Sequence, residues 1–324
     1  LLQNPLLHRK KQQEVKKQTV ELSKPKFLIL AGTGWSATTP LWMTLREQNI
    51  ITTGITKEPQ TLQYICSRDP DYWKYKRSKK LEYFTGKHKE SDLQLLLGKD
   101  TTMEDYIKYF ESISSDKYRY VSDFSNDNAF LPGWFISVMA EKMKEVFDVK
   151  VIMIFRDPVR RSYSYTSAAY GAKSAKKSKI GSRWDNNDPK SRFQWTKIKR
   201  QFPDSISYWK NQISSSDMNM SKFSYVDIYK KYKYSFDTHA IVMEDLWSGK
   251  TEQLEDFLGC KLDGLHRNCY HPEMGTKAPQ YEELPDQWMS DMQDLSKEDY
   301  QFGRNKLRFI YDEWEEEFNT TPWK

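Results

Sequence analysis

Two hydrophobic periods take turns along this chain. "KFLILA" (26–31) is a continuous apolar run of strand length, and "TTPLWMTLREQN" (38–49) places its apolar residues at helical spacing, with Pro40 acceptable in a first turn. The same succession recurs. "YRYVSDF" (118–124) predicts a strand, "PGWFISVMAEKMKEVF" (132–147) a helix and "KVIMIF" (150–155) another strand. "DPVRRSYSYTSAAY" then opens a helix with Asp157 as N-cap and Pro158 at the first helical position. "THAIVMEDL" (238–246) predicts a fourth strand, and "KTEQLEDFLG" a helix that stops at Gly259. Strands alternating with helices predict an α/β fold, three layers with a central parallel sheet flanked by helices. No internal repeat is visible, and residues 171–194 read as loop.

In such sheets, ligands sit beyond the carboxyl ends of the strands, where loop amides and helix N-termini face negative charge. Two segments have the composition for this. In "AGTGWSATT" (31–39), Gly32 and Gly34 allow a tight curl, the amides of residues 34–39 can form a nest, and Ser36, Thr38 and Thr39 add hydroxyl donors. It is not a Walker loop, because Ala37, Thr38 and Thr39 stand where Gly-Lys-Ser/Thr is required. That disfavours a kinase or ATPase. In "FRDPVRRSYSY" (155–165), Arg156 follows a strand and Ser164 lies eight residues on, about two helical turns. Arginine presents a planar fork to a phosphate, and serine one more donor. The alternative for Arg156 is a structural pairing with a carboxylate such as Asp157.

These segments resemble sulfotransferases that use 3′-phosphoadenosine 5′-phosphosulfate (PAPS), of the carbohydrate, heparan-type and bacterial branch. "ILAGTGWSATTPLW" is similar to their 5′-phosphosulfate loop and "FRDPVRRSYSY" to their 3′-phosphate motif. "TKEPQTL" (56–62), "AIVMEDLWSGKTEQLEDFLGC" (240–260) and "CYHPEMGTKAPQ" (269–280) continue the resemblance in the family's order. It implies a P-loop-like fold and transfer of a sulfuryl group from PAPS to a hydroxyl, with 3′,5′-bisphosphoadenosine as product and no metal. Gly34, Trp35, Ser36, Ala37, Thr38 and Thr39 would wrap the 5′-phosphosulfate, and Arg156 and Ser164 would hold the 3′-phosphate. Gly275, Thr276 and Lys277 would cap the nucleotide, with less basic charge than the family usually places there. Glu58 falls where many members carry the general base; a solvated loop carboxylate is the other reading.

Trp35 departs from the family, which has Lys or Arg at this position to neutralise the leaving oxygen. An indole has one neutral donor and cannot do so. Three outcomes stay open: another cation reaches in, with Lys57 the nearest candidate; the amide nest suffices for slow turnover; or the chain is a non-catalytic nucleotide- or glycan-binding protein.

Charge changes the picture at one place. Between Lys173 and Arg200 lie ten basic residues against Asp185 and Asp188, a local net charge of +8 within a chain of +6. Either this is a solvated insertion or it attracts an anionic acceptor. With Trp184, Phe193 and Trp195 nearby, the acceptor expected is a carbohydrate or another hydroxyl compound, sulfated or acidic. No recognition motif accompanies the charge, so nucleic acid is not expected as a partner. The expected organisation is a basic extension over residues 1–24 and a single domain over 25–324, with the basic insertion at about 171–200.

No apolar run approaches a membrane span, and the basic start of the chain has no signal-peptide core. The three cysteines are too few for a disulfide scaffold, although Cys260 and Cys269 could close one loop. Reduced thiols in the cytoplasm are the expectation; a Golgi lumen is the alternative if an anchor preceded Leu1. No feature of the sequence sets an oligomeric state.

Overall fold

A computed structural model describes residues 24–34, 36, 38–67, 70–172, 201–215, 224–265 and 295–323. Its centre is a sheet of five strands, β1 (Lys26–Leu30), β2 (Ile51–Thr52), β3 (Tyr120–Asp123), β4 (Asp148–Phe155) and β5 (Asp237–Val242). They lie in the order β2-β3-β1-β4-β5, and every neighbouring pair is parallel. All five carboxyl ends therefore open on one edge. The chain steps from β1 outward to β2, back to β3, and then over β1 to β4. The reversal of direction falls at β1, where such sheets leave a crevice for ligands.

Helices cover both faces, as the alternating pattern requires. Along the first half of the chain these are α1 (Thr38–Glu47), α2 (Thr61–Cys66), α3 (Pro70–Phe84), α4 (Glu90–Leu97), α5 (Met103–Ser112) and α6 (Gly133–Val146). After β4 come α7 (Pro158–Ala172), α8 (Ser205–Ser214) and α9 (Tyr225–Lys233). After β5 come α10 (Met243–Trp247), α11 (Glu252–Leu258), α12 (Lys297–Lys306) and α13 (Arg308–Phe318). A strand points successive side chains to opposite faces, and β4 shows the result. Val151, Met153 and Phe155 enter one core with Phe27, Met139, Tyr225 and Trp314, whereas Ile152 and Ile154 enter the other with Leu28, Leu41, Trp42 and Leu258. With both faces covered there, β1 over Phe27–Leu30 and β4 over Val151–Phe155 are continuous apolar runs rather than alternating ones.

The expected elements form with small shifts at their ends. β1, β3 and α6 are shorter than expected, whereas β4 starts earlier, at Asp148, and α7 runs on to Ala172, two residues into the stretch expected as loop. The helix after β4 begins at Pro158, and Asp157 Oδ1 accepts from the Arg160 amide at 2.9 Å, the expected cap. The helix before Gly259 ends there, the glycine at φ 66°. One expectation is corrected: the strand predicted over 238–246 stops at Val242, and Met243–Trp247 is a short helix. The register with β4 ends at Phe155↔Val242, beyond which β4 has turned away and offers no partner, while Glu244 and Asp245 suit a first helical turn. Among the described residues no helix is long and apolar enough to cross a membrane.

Candidate functional site

The loop after β1 runs along β4 before it turns. Ala31 and Thr33 donate to Ile152 and Ile154 carbonyls at 2.9 Å, and the Ile154 amide donates back to Gly32 at 3.0 Å. Gly32 is required here: its φ is +87°, and a Cβ would stand 2.5 Å from that of Ala129. Gly34 is different. Its Cβ would meet only Asn126, at 3.8 Å, so the second glycine of the turn is not demanded by local contacts. Its carbonyl instead accepts from Arg161 Nε at 3.1 Å. Ser36 is buried, with its hydroxyl 2.8 Å from that of Thr33. Trp35 and Ala37 lie outside the described residues.

Beyond this loop, Thr38 and Thr39 start α1, and a cation meets them there. Lys57, from the segment after β2, is fully buried and donates to Thr39 Oγ1 at 3.0 Å and Thr38 Oγ1 at 3.4 Å. It also donates to Glu58 Oε1, at 3.1 Å. A buried ammonium is tolerable only when oxygen acceptors replace its water, and these oxygens do so. The backbone holds the lysine in register, since Phe124, just past β3, donates its amide to the Lys57 carbonyl at 3.1 Å.

Glu58 is half-buried, and its Oε1 also accepts from Asn126 Nδ2 at 2.9 Å. Lys80 of α3 donates to the Glu58 carbonyl, and to Gln60 Oε1 at 2.9 Å. The glutamate is thus fixed by groups from separate elements. At the end of β3, Asp123 is wholly buried and accepts from Tyr106 at 2.9 Å and from the Ser125 amide at 2.8 Å. Burial pushes its carboxyl above the ordinary aspartate value, against the pull of those hydrogen bonds.

At the end of β4, Arg156 is almost wholly buried, and its Nη1 donates to Ser164 Oγ at 3.0 Å. The eight-residue spacing in the sequence does bring these two together. Desolvation lowers the guanidinium pKa, with Glu244 and Asp157 opposing it; arginine stays charged under such shifts. Asp157 is adjacent yet turned elsewhere: it caps α7 and accepts from Tyr300 and Tyr311.

Gly275, Thr276 and Lys277, the basic segment 173–200 and Cys269 fall outside the described residues. Asn126, Lys80 and Arg161 join the site without having been expected from the sequence. Arg161 sits inside the "FRDPVRRSYSY" segment, so its signal was present; Asn126 and Lys80 belong to no motif.

No family model matches the chain, and no curated protein matches it. Among solved structures it is similar to the crystal structure of a sulfotransferase from Alicyclobacillus acidocaldarius, at 17% identity and a TM-score of 0.43. That match covers 89% of this chain and 97% of that one.

Proposed function

We propose that the protein transfers a sulfuryl group from PAPS to an acceptor hydroxyl, on a carbohydrate or a related compound. One arrangement carries this reading: two cation–hydroxyl pairs stand on adjoining strand ends, Lys57 with Thr38 and Thr39 beside β1, and Arg156 with Ser164 after β4. These residues fit an anion at each end of a 3′,5′-substituted nucleotide, because each pair combines a full charge with a directional donor at a sheet edge. The motif resemblance of both segments supports the same assignment.

The donor supplies a sulfuryl group carried on a 5′-phosphate leaving group. Thr38, Thr39 and the amino end of α1 would hold that end, and Arg156 and Ser164 the 3′-phosphate. Lys57 takes the role vacated at Trp35: a preorganised ammonium that neutralises charge on the departing oxygen. Glu58 accepts the proton of the attacking hydroxyl, oriented for this by Asn126 and Lys57. An anionic acceptor would be drawn in by the basic segment 173–200.

Calorimetry tests the reading. The protein is expected to bind 3′,5′-bisphosphoadenosine ~10-fold or more tightly than 5′-AMP, since a charge-assisted phosphate contact is lost in the second. Equal affinities would overturn the donor assignment. Tight binding of the bisphosphate without sulfate transfer to any of a panel of glycans, phenols and amines would leave a nucleotide-binding protein in place of an enzyme.

A further inference from the structure

Asp157, the residue after Arg156, is the hub of a network that reaches into the C-terminal helices of the chain. Its Oδ2 accepts from Tyr300 at 2.8 Å and from Tyr311 at 3.1 Å, which lie on α12 and α13. Its amide donates to Glu244 Oε1 at 3.1 Å, and Glu244 Oε2 accepts from Trp323 Nε1 at 3.0 Å. A second set of contacts runs alongside. Tyr225 donates to the Arg156 carbonyl at 2.7 Å, and its ring packs edge-on to Trp314 and Trp323 at 6.3 and 6.0 Å. Arg161 lies over the same ring at 5.6 Å and donates to Gly34. The C-terminal segment therefore touches the Arg156 turn directly and the loop after β1 through Tyr225 and Arg161.

Asp157 and Glu244 act on the buried Arg156 guanidinium, and a buried ionic cluster is a poor way to gain stability, since apolar residues of similar volume often do as well or better. Burial accordingly holds the Glu244 carboxyl above its ordinary value. What such a network does supply is one defined backbone position at the residue that follows Arg156.

We infer that Tyr300, Tyr311 and Trp323 are positioning residues that set selectivity for the 3′-phosphate by fixing the Arg156 turn through Asp157 and Glu244. This rests on the reading that Arg156 and Ser164 contact that phosphate. The three act through the turn and not by contact with the nucleotide. The two phenols act at one end of the ligand, because they join the chain at Asp157, next to Arg156. Trp323→Phe keeps a ring to pack on Tyr225 while removing only the donor to Glu244.

The test uses Tyr300→Phe/Tyr311→Phe, which removes both phenol donors, and separately Trp323→Phe, which removes the donor to Glu244 while keeping a ring. Calorimetry with 3′,5′-bisphosphoadenosine and with 5′-AMP is run beside thermal melts. Affinity for the bisphosphate is expected to fall ~10-fold in the double variant, the scale of lost hydrogen bonds to a charged group, while 5′-AMP changes less than ~2-fold. Trp323→Phe moves the ratio the same way. Equal weakening of both nucleotides would mean general loosening and would overturn the inference. So would an unchanged ratio in a wild type that prefers the bisphosphate, in which case the donor reading stands. A wild type with no preference removes the donor reading and this inference with it.

Discussion

The two cationic corners of the sheet edge are built in opposite ways. Beside β1, Lys57 is held by two threonine hydroxyls and a half-buried carboxylate, all polar side chains. After β4, Arg156 is enclosed: Ser164 takes one nitrogen, Tyr225 holds its carbonyl, and the aromatic cluster of Phe155, Tyr225, Trp314 and Trp323 closes around its backbone. An adaptable polar corner suits groups that act as charge moves. A rigid corner suits recognition of a group that stays unchanged, because preorganisation reduces the ordering cost of binding. Both cations are buried, so on the proposed function the sheet would separate chemistry from selectivity by what surrounds each one, polar side chains at Lys57 and an aromatic cluster behind Arg156.

If that division holds, substitutions on the two sides differ in what they change. The largest effects are expected beside β1. Glu58→Gln removes the proton acceptor and should lower kcat ~10²–10⁴-fold. Lys57→Ala should lower it ~10²–10³-fold, the scale for losing one preorganised group at a developing charge. Glu58→Gln should leave bisphosphate affinity within a few-fold, and Lys57→Ala, which removes a charge also facing the 5′-phosphate, should cost kcat more than affinity, the signature of groups acting mainly in the transition state. Steady-state kinetics with the donor, set against calorimetry with the product nucleotide, separates the two. A variant that lost affinity and kept kcat would reverse the comparison.

Across the edge the pattern inverts. Arg156→Ala should weaken 3′,5′-bisphosphoadenosine ~10–100-fold, the worth of a charged hydrogen bond within a buried site. Affinity for 5′-AMP should barely move, so the ratio between the two nucleotides collapses toward one. Ser164→Ala should do the same to a smaller extent, since a neutral donor contributes less. Equal losses for both nucleotides would show that the arginine supports the fold of the edge generally.

Local pattern made the rigid corner readable and left the adaptable one half hidden. Arg156 and Ser164 lie in one strand–turn–helix segment, about two helical turns apart, and the long arginine side chain spans the gap. The capping by Asp157 was legible for the same reason. Lys57 was nameable only as the nearest cation, because its reach to Thr38 and Thr39 depends on how two loops from different strands lie together. β2, which delivers it, is two residues long and leaves no periodic trace. Asn126 meets Glu58 across 68 residues, a contact set by tertiary packing. Lys80 is one basic residue in a run of them, and only the docking of α3 decides which turns inward. Tyr300, Tyr311 and Trp323 come from the far end of the chain, with no signal connecting them to Arg156. Glycine teaches the opposite lesson: Gly32 and Gly34 look equivalent in sequence, yet only Gly32 needs its positive φ.

The smallest effect concerns Asp123, buried at the end of β3 and outside the proposed chemistry. Burial raises its carboxyl above the ordinary value of 3.8, so in the window above 3.8 the folded protein binds a proton that the unfolded chain has released. Its contribution to stability is therefore fully present below that value and is lost as pH rises through the raised one. Asp123→Asn keeps an oxygen to accept from the Ser125 amide and presents a neutral amide to Tyr106. Having nothing to titrate, the variant lacks this dependence. Denaturant unfolding from about pH 4 upward, just above the ordinary carboxyl value, should then show wild type losing stability relative to Asp123→Asn as the pH increases. The difference should level off once the carboxyl is charged in both states. A difference that ran the other way would mean that the hydrogen bonds from Tyr106 and Ser125 outweigh desolvation and keep Asp123 charged in the fold.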